Sequence, residues 1–161
     1  MKWNPDKIVD DFIVVAKLAG VTLGPGSICI ETLSMPHKPP SNLPKGKMAV
    51  YVFSEKDRIL KVGKVGQHSE ARYTSQHYNP GSAASTLAAS LLNDEDSVRK
   101  YGLVKGNVSR WIRGNTDRVN FIVDADFGTH TLTLLEAFVQ CRLQPLFEGV
   151  PNQQRLSGRP G

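Results

Sequence analysis

The sequence predicts a mixed α/β (α+β) domain: a small three-stranded antiparallel sheet with helices packed on it. Three stretches carry that expectation. MAVYVFSEKDRILKVG (48–63) has two β-branched and aromatic runs around a charged loop. RVNFIVD (118–124) alternates as a strand does, with Val119, Phe121 and Val123 on one face. LTLLEAFVQCRL (132–143) is apolar at helical spacing. A hairpin alone is marginal in water, so the third strand and the helices are needed to stabilise it.

Taken in order, residues 1–20 read as a helix. Asn4 caps it, Pro5 takes the first position, and Ile8, Phe12, Val15 and Leu18 follow at helical spacing to Gly20. A Gly-Pro-Gly turn precedes a short candidate strand, Ile28 to Thr32. Residues 35–47 hold four prolines and three lysines, an extended connector that sets residues 1–47 apart as an accessory element.

In the hairpin, a symmetric five-residue loop, Ser54 to Arg58, would pair Phe53 with Ile59, Val52 with Leu60 and Tyr51 with Lys61. Tyr51 and Lys61 then share a face, their Cβ atoms about 4.5–5.5 Å apart. A helix from Ser69 or Glu70 to Tyr78 carries Arg72 one turn before Gln76 and His77. Ser85 to Leu92 forms another helix, and Asp94, Glu95 and Asp96 suit the start of the next, over Ser97 to Tyr101. Asn107 or Ser109 caps a short helix bearing Trp111 and closed by Gly114. Thr129 or Thr131 caps the last helix, and Gln144-Pro145 ends it. The tail, 151–161, is polar and reads as loose.

The chain has 161 residues, one domain's worth, and 40% are hydrophobic, enough for a core. No apolar run approaches the ~18 residues of a membrane span. The acidic N-terminus does not read as a signal peptide. Cys29 and Cys141 lie far apart with no metal-ligand spacing, which reads as two buried free thiols in a reducing cytoplasm.

Net charge is +5, and a single stretch, 97–118, carries the whole excess: Arg99, Lys100, Lys105, Arg110, Arg113 and Arg118 against Asp117. With Tyr101 and Trp111 interleaved, the stretch suits a polyanion partner such as DNA. A solvated basic helix face gives the same pattern.

Three further features point to chemistry. Glu136 sits mid-helix in an apolar setting with no cation three or four residues away. A carboxylate there needs a metal or a distant cation, or lies at a boundary with its head in solvent. Mg²⁺ suits one carboxylate completed by water and substrate phosphate. An ammonium on Lys61 would lower the Tyr51 pKa from about 10 and make it a general base, although a lysine reaching past a half-buried tyrosine fits the same pattern. Arg72 and Lys64 suit phosphate oxygens, or are surface charges. His68 and His77 signal little alone.

Taken together, these residues resemble the GIY-YIG nuclease superfamily, in its restriction-endonuclease-like branch. Ala49-Val50-Tyr51 stands for the first tripeptide and Lys61-Val62-Gly63, ten residues on, for the second. Lys64, Arg72, Glu136 and the closing Leu143-Gln144-Pro145-Leu146-Phe147 follow in order, so the likeness spans about Ala49 to Gly149. Lys61 replaces the second tyrosine, and Glu148 stands where asparagine is usual. Gln76, His77 and Tyr78 compete for the helix position after Arg72.

The resemblance implies a nuclease domain over 48–150 with a basic helical insertion, 93–117, before the third strand. It implies metal-assisted hydrolysis of a DNA phosphodiester, of restriction or defence type. Tyr51, helped by Lys61, would take the proton from water. Glu136 would hold Mg²⁺ or Mn²⁺, and Lys64, Arg72 and His77 would complete the site. The basic insertion would bind DNA, and the N-terminal helix would extend that surface or make a homodimer. Two alternatives stand beside this reading: a non-catalytic nucleic-acid-binding module on a nuclease-like scaffold, and a nuclease for single-stranded or structured nucleic acid.

Overall fold

The computed structural model describes residues 2–147. It is a mixed α/β fold with four antiparallel strands, one more than expected: β1 (Ile28–Leu33), β2 (Lys47–Glu55), β3 (Arg58–Val65) and β4 (Asp117–Asp124), in the order β1-β4-β2-β3. The added strand is the candidate at 28–33. It pairs Ile28 with Val123 and Leu33 with Arg118, and so covers what would be an open edge of β4.

Helices cover both sheet faces. On one face lie α1 (Pro5–Leu18) and α6 (Thr129–Leu143), with Ile8, Phe12, Leu132, Leu135 and Val139 packed on Val50, Val52, Val119, Phe121 and Val123. On the other lie α2 (Glu70–Thr74), α3 (Leu87–Asn93), α4 (Glu95–Tyr101) and α5 (Val108–Asn115), over Ala49, Tyr51, Phe53 and Leu60. That is why β2 is buried without alternation from Met48 to Ser54. The N-terminal helix, expected as an accessory element, shares the sheet's core. Asn4 caps it as its sequence suggests, accepting from the backbone of Asp6 at 2.9 Å and Lys7 at 3.3 Å.

The hairpin register differs from the symmetric one. The turn has two residues, Lys56-Asp57, with Lys56 in the left-handed region at φ 54°, and a bulge falls between Phe53 and Ser54. Two-residue turns match strand twist, so the polar residues Ser54, Glu55 and Arg58 stay in the ladder. Arg58 Nη2 donates to Glu55 Oε2 at 2.8 Å and to Tyr101 Oη at 2.7 Å, clipping the hairpin to α4. Tyr51 therefore faces Gly63, and Phe53 faces Lys61. The shift is two residues, so Tyr51 and Lys61 keep one face but become diagonal neighbours.

The helix expected to run to Tyr78 stops at Thr74 and resumes as a single 3₁₀ turn, Gln76–Tyr78. Thr74 and Ser75 hydroxyls bond back to the Glu70 and Ala71 carbonyls, which weakens helix continuation there. The break turns His77 and Tyr78 into the core. Similarly, Thr131 Oγ1 donates to the Phe127 carbonyl instead of capping, and α6 starts after Gly128 at φ 85°. Asn107 does sit at the start of α5, but its amide oxygen accepts from Val104, and α5 runs past Gly114 to Asn115.

Two further expectations fail. Cys29 and Cys141 are free but exposed. Arg118, counted with the outer basic residues, is fully buried. It lies on β4 on the side opposite Val119, and α2 and its 3₁₀ turn close that side. No helix among the described residues is long and apolar enough to cross a membrane. The expected loose tail and Glu148 lie outside the described residues.

Candidate active site

The strand ladder lays out two adjacent rows on the face under α2. One reads Glu31, Asn120, Tyr51, Gly63 and the other Leu33, Arg118, Phe53, Lys61. Tyr51 lies flat across Gly63: a Cβ added there would meet Tyr51 Oη at 2.2 Å and Cζ at 2.6 Å. The glycine of the second tripeptide is thus the space the tyrosine occupies.

Tyr51 is fully buried, and Arg72 Nη2 donates to its Oη at 3.3 Å. Burial raises the Tyr51 pKa; Arg72 and, more weakly, Arg118 oppose that rise, and Glu136 adds to it. The lowered phenol pKa expected from a neighbouring ammonium is therefore reversed, because desolvation outweighs the cations. The other Arg72 arm, Nη1, donates to Ser85 Oγ at 3.1 Å. Arg72 also lines an open groove of about 360 Å³ with His68, Ser69 and Gln76.

Lys61 is 2% exposed, and its Nζ donates to Ser90 Oγ at 3.2 Å. The Ser90 hydroxyl donates in turn to the Thr86 carbonyl at 3.0 Å. Burial, reinforced by the Arg72 charge, lowers the Lys61 pKa from 10.5 to about 8. Of this pair, Tyr51 is neutral near pH 7, and Lys61 is the one that gives up its proton first as pH rises.

His77 fills the place beside Tyr51, with ring centroids 4.3 Å apart. Its Nδ1 accepts from the Leu87 backbone at 3.2 Å, so the proton sits on Nε2, which is buried without a partner. Burial and the charges of Arg118, Arg72 and Lys61 hold its pKa well below 6.5. It is a neutral packing partner of the phenol. Gln76 lines the groove with Arg72, and Tyr78 turns inward to His37.

Glu136 finds the distant cation its sequence context demands. Lys64 Nζ donates to its Oε2 at 2.5 Å, the two side chains being 39% and 18% exposed. Lys64, expected on phosphate, is held by this ion pair. Among the described residues, no group of three or more His, Cys, Asp and Glu converges for a metal. The donor set at Glu136 is one carboxylate already drawn to a cation. It fits a Mg²⁺ or Mn²⁺ held mainly by water and substrate phosphate, and does not fit a protein-only cage.

Arg99, Lys100, Lys105, Arg110 and Arg113 are exposed along α4, the following loop and α5. Tyr101 and Trp111 stack at 4.5 Å, with Lys100 4.8 Å from the Tyr101 centroid. At the other end, Leu146 and Phe147 extend the sheet edge, their N–H groups donating to the Ile59 and Leu60 carbonyls at 3.0 and 2.9 Å.

Sequence reasoning missed Ser85, Ser90, Glu31, Tyr73, Arg118 and Asn120 as members of this buried neighbourhood. For Arg118 and Asn120 a signal existed: they alternate with Val119, Phe121 and Val123, which assigns them to the other face.

His37 and His77 give a stability prediction. His37 Nδ1 donates to the Thr116 carbonyl and its Nε2 accepts from Tyr78 Oη, both at 2.9 Å, an arrangement that needs the neutral ring. Burial lowers both histidine pKa values from 6.5. The unfolded chain then binds protons before the folded one does, so stability is full above pH 6.5 and falls as pH drops below it. Thermal melts from pH 8 to pH 5 are expected to show Tm falling below about 6.5, with a shallower fall in His37→Gln; a flat profile would contradict this.

Compared with known proteins, the chain matches no family model, no curated protein and no solved structure.

Proposed function

We propose that the protein is a divalent-metal-dependent DNA endonuclease that hydrolyses phosphodiester bonds, of restriction or defence type and cytoplasmic. One observation carries the reading. Tyr51 lies against Gly63 with Arg72 on its hydroxyl, and Lys61 stands on the same sheet face. Glu136, paired with Lys64 on the α6 side of the sheet, lies within electrostatic reach of Tyr51.

In this reading a DNA phosphate engages Arg72 from the open groove and draws the guanidinium off Tyr51 Oη. That frees the phenol oxygen for the attacking water. Water oxygen forms the new bond to phosphorus, the P–O3′ bond breaks, and the water proton passes to the Tyr51 oxygen. Tyr51 must first lose its own proton, which passes to the Lys61 side chain in its neutral amine form. Lys61, diagonal to Tyr51 on the same sheet face, reaches that amine form as pH rises through about 8 and then returns the proton to solvent. Mg²⁺ or Mn²⁺ on Glu136 would supply charge stabilisation at the phosphate and the leaving 3′ oxygen. Lys64, once released from Glu136, would turn to the phosphate. His77 holds the Tyr51 ring in place. Arg99, Lys100, Lys105, Arg110 and Arg113 would track the DNA backbone. Cutting both strands would need a homodimer or two encounters.

Plasmid DNA with Mg²⁺ tests this. Wild type is expected to cut, and Glu136→Ala and Tyr51→Phe to lose at least about 100-fold in rate. The rate is expected to rise with pH through about 8, the Lys61 value. Equal cutting by all three proteins would overturn the assigned roles.

A second reading, a non-catalytic nucleic-acid-binding module, is favoured by the full burial of Tyr51. It predicts no cleavage, with salt-sensitive DNA binding that survives Glu136→Ala. Single-stranded, branched and duplex substrates separate the third, a nuclease for structured nucleic acid.

A further inference from the structure

Arg118 heads the largest fully buried side chains, and the chemistry above does not use it. Its guanidinium carbon lies 5.0 Å from the ring centroids of Phe53 and Tyr73, 5.7 Å from Tyr51 and 6.0 Å from Tyr78. Nε donates to Asn120 Oδ1 at 2.8 Å, Nη1 donates to Tyr78 Oη at 3.3 Å, and Nη2 is buried without a partner.

The Asn120 amide nitrogen donates in turn to Glu31 Oε2 at 2.6 Å, and Tyr73 Oη donates to the same oxygen at 2.5 Å. The carboxylate therefore reaches the guanidinium only through an amide. A buried charge so compensated is costly, and the aromatic faces around it are what hold it. One of those faces belongs to Tyr51.

We propose that Arg118 is a positioning residue for DNA cleavage: a fixed cation beside the Tyr51 ring that orients the phenol and favours its anion, with Glu31 tempering that field through Asn120. The proposal rests on the endonuclease reading. The charged and titratable groups facing Tyr51 are Arg72 from α2, His77 from the 3₁₀ turn, Lys61 from β3 and Arg118 from β4, with Glu136 of α6 acting electrostatically from the other side of the sheet. Arg72 is half-buried and is the group a phosphate recruits. Arg118, sealed in the core, stays when Arg72 leaves. It opposes the rise that burial imposes on the phenol. The carboxylate that sets its field comes from β1, the strand outside the segment that resembles a nuclease.

The test uses the full chain with its four tyrosines replaced by 3-fluorotyrosine, whose phenol is more acidic than that of tyrosine. Fluorine NMR follows each ring, and Tyr51→Phe identifies the Tyr51 signal. In Arg118→Met its midpoint is expected to rise by about one to two pH units. In Arg118→Lys it is expected to return most of the way.

In Glu31→Gln, which keeps the shape and removes the tempering charge, it is expected to fall. This variant carries the test if Arg118→Met does not fold. Opposite signs for the two sites are not produced by packing alone. Plasmid cleavage near neutral pH is expected to drop about tenfold in Arg118→Met and to recover as pH rises. A wild type that cuts nothing overturns the cleavage reading and this role with it. An active wild type whose Tyr51 midpoint stays put in every variant overturns the Arg118 role alone.

Discussion

Gly63→Ala is expected to unseat Tyr51. The added methyl would stand 2.2 Å from the phenol oxygen and 2.6 Å from Cζ. Neither neighbour yields easily, because Tyr51 is fully buried, with its ring against His77 and Phe53 and its hydroxyl on Arg72. Overpacking of this kind costs about 1–3 kcal/mol. Gly63 does not have a positive φ, so the cost is steric rather than a backbone penalty. Gly66 lies one step past β3, and a methyl added there would meet nothing within 4 Å. It is the matched control, and its alanine variant should stay within about 0.5 kcal/mol of wild type. Chemical denaturation of both proteins, with plasmid cleavage alongside, is the measurement. Equal stability and activity in the two alanine variants would mean that Tyr51 does not rest on Gly63.

Lys61→Met is expected to do the opposite to stability, raising it while removing activity. Lys61 is 2% exposed and bonded to a serine hydroxyl. Its fall from 10.5 to about 8 means that keeping the charge inside costs about 3 kcal/mol of folding free energy. The sign follows from proton binding. Below pH 8 both the folded and the unfolded chain carry the proton, and the whole cost is present. Between 8 and 10.5 the unfolded chain keeps a proton that the folded one has lost, so the cost shrinks as pH rises. Methionine fills similar volume without the charge, so a gain of about 1–3 kcal/mol is expected at pH 7, fading toward pH 10. A loss of stability at pH 7 would refute this account. A gain together with lost cleavage would identify Lys61 as a residue kept for chemistry despite its cost to stability.

Local signals in the sequence account for most of the elements. Asn4-Pro5 starts α1, Asp94 caps α4 through the Ser97 backbone, and the alternation of Val119, Phe121 and Val123 marks β4. Each depends on contacts within a few residues, which is the range over which sequence is informative. Glu136 was legible for the same reason: a carboxylate in an apolar helix with no near cation must look elsewhere, and it found Lys64 across the fold.

The hairpin register was not legible, because polarity at Ser54, Glu55 and Arg58 marks a turn only if the backbone turns there. A two-residue turn and a bulge absorbed those residues into the ladder. The candidate strand at Ile28 was visible as an element, but its place in the sheet depended on β4 having a free edge.

What the sequence alone determined is therefore the identity of the elements and the parity of each strand. Tyr51, Lys61, Arg118 and Asn120 fall on one sheet face because alternation is local geometry. Tertiary structure alone decided which face is closed. The helices after β3 pack over that side and bury Arg118 and Lys61, which in sequence look like any surface cation. Burial then sets the chemistry. It raises the Tyr51 phenol where a neighbouring cation had suggested lowering, and it brings Lys61 toward neutrality. Desolvation depends on everything packed around a group, and no spacing of residues along the chain encodes it.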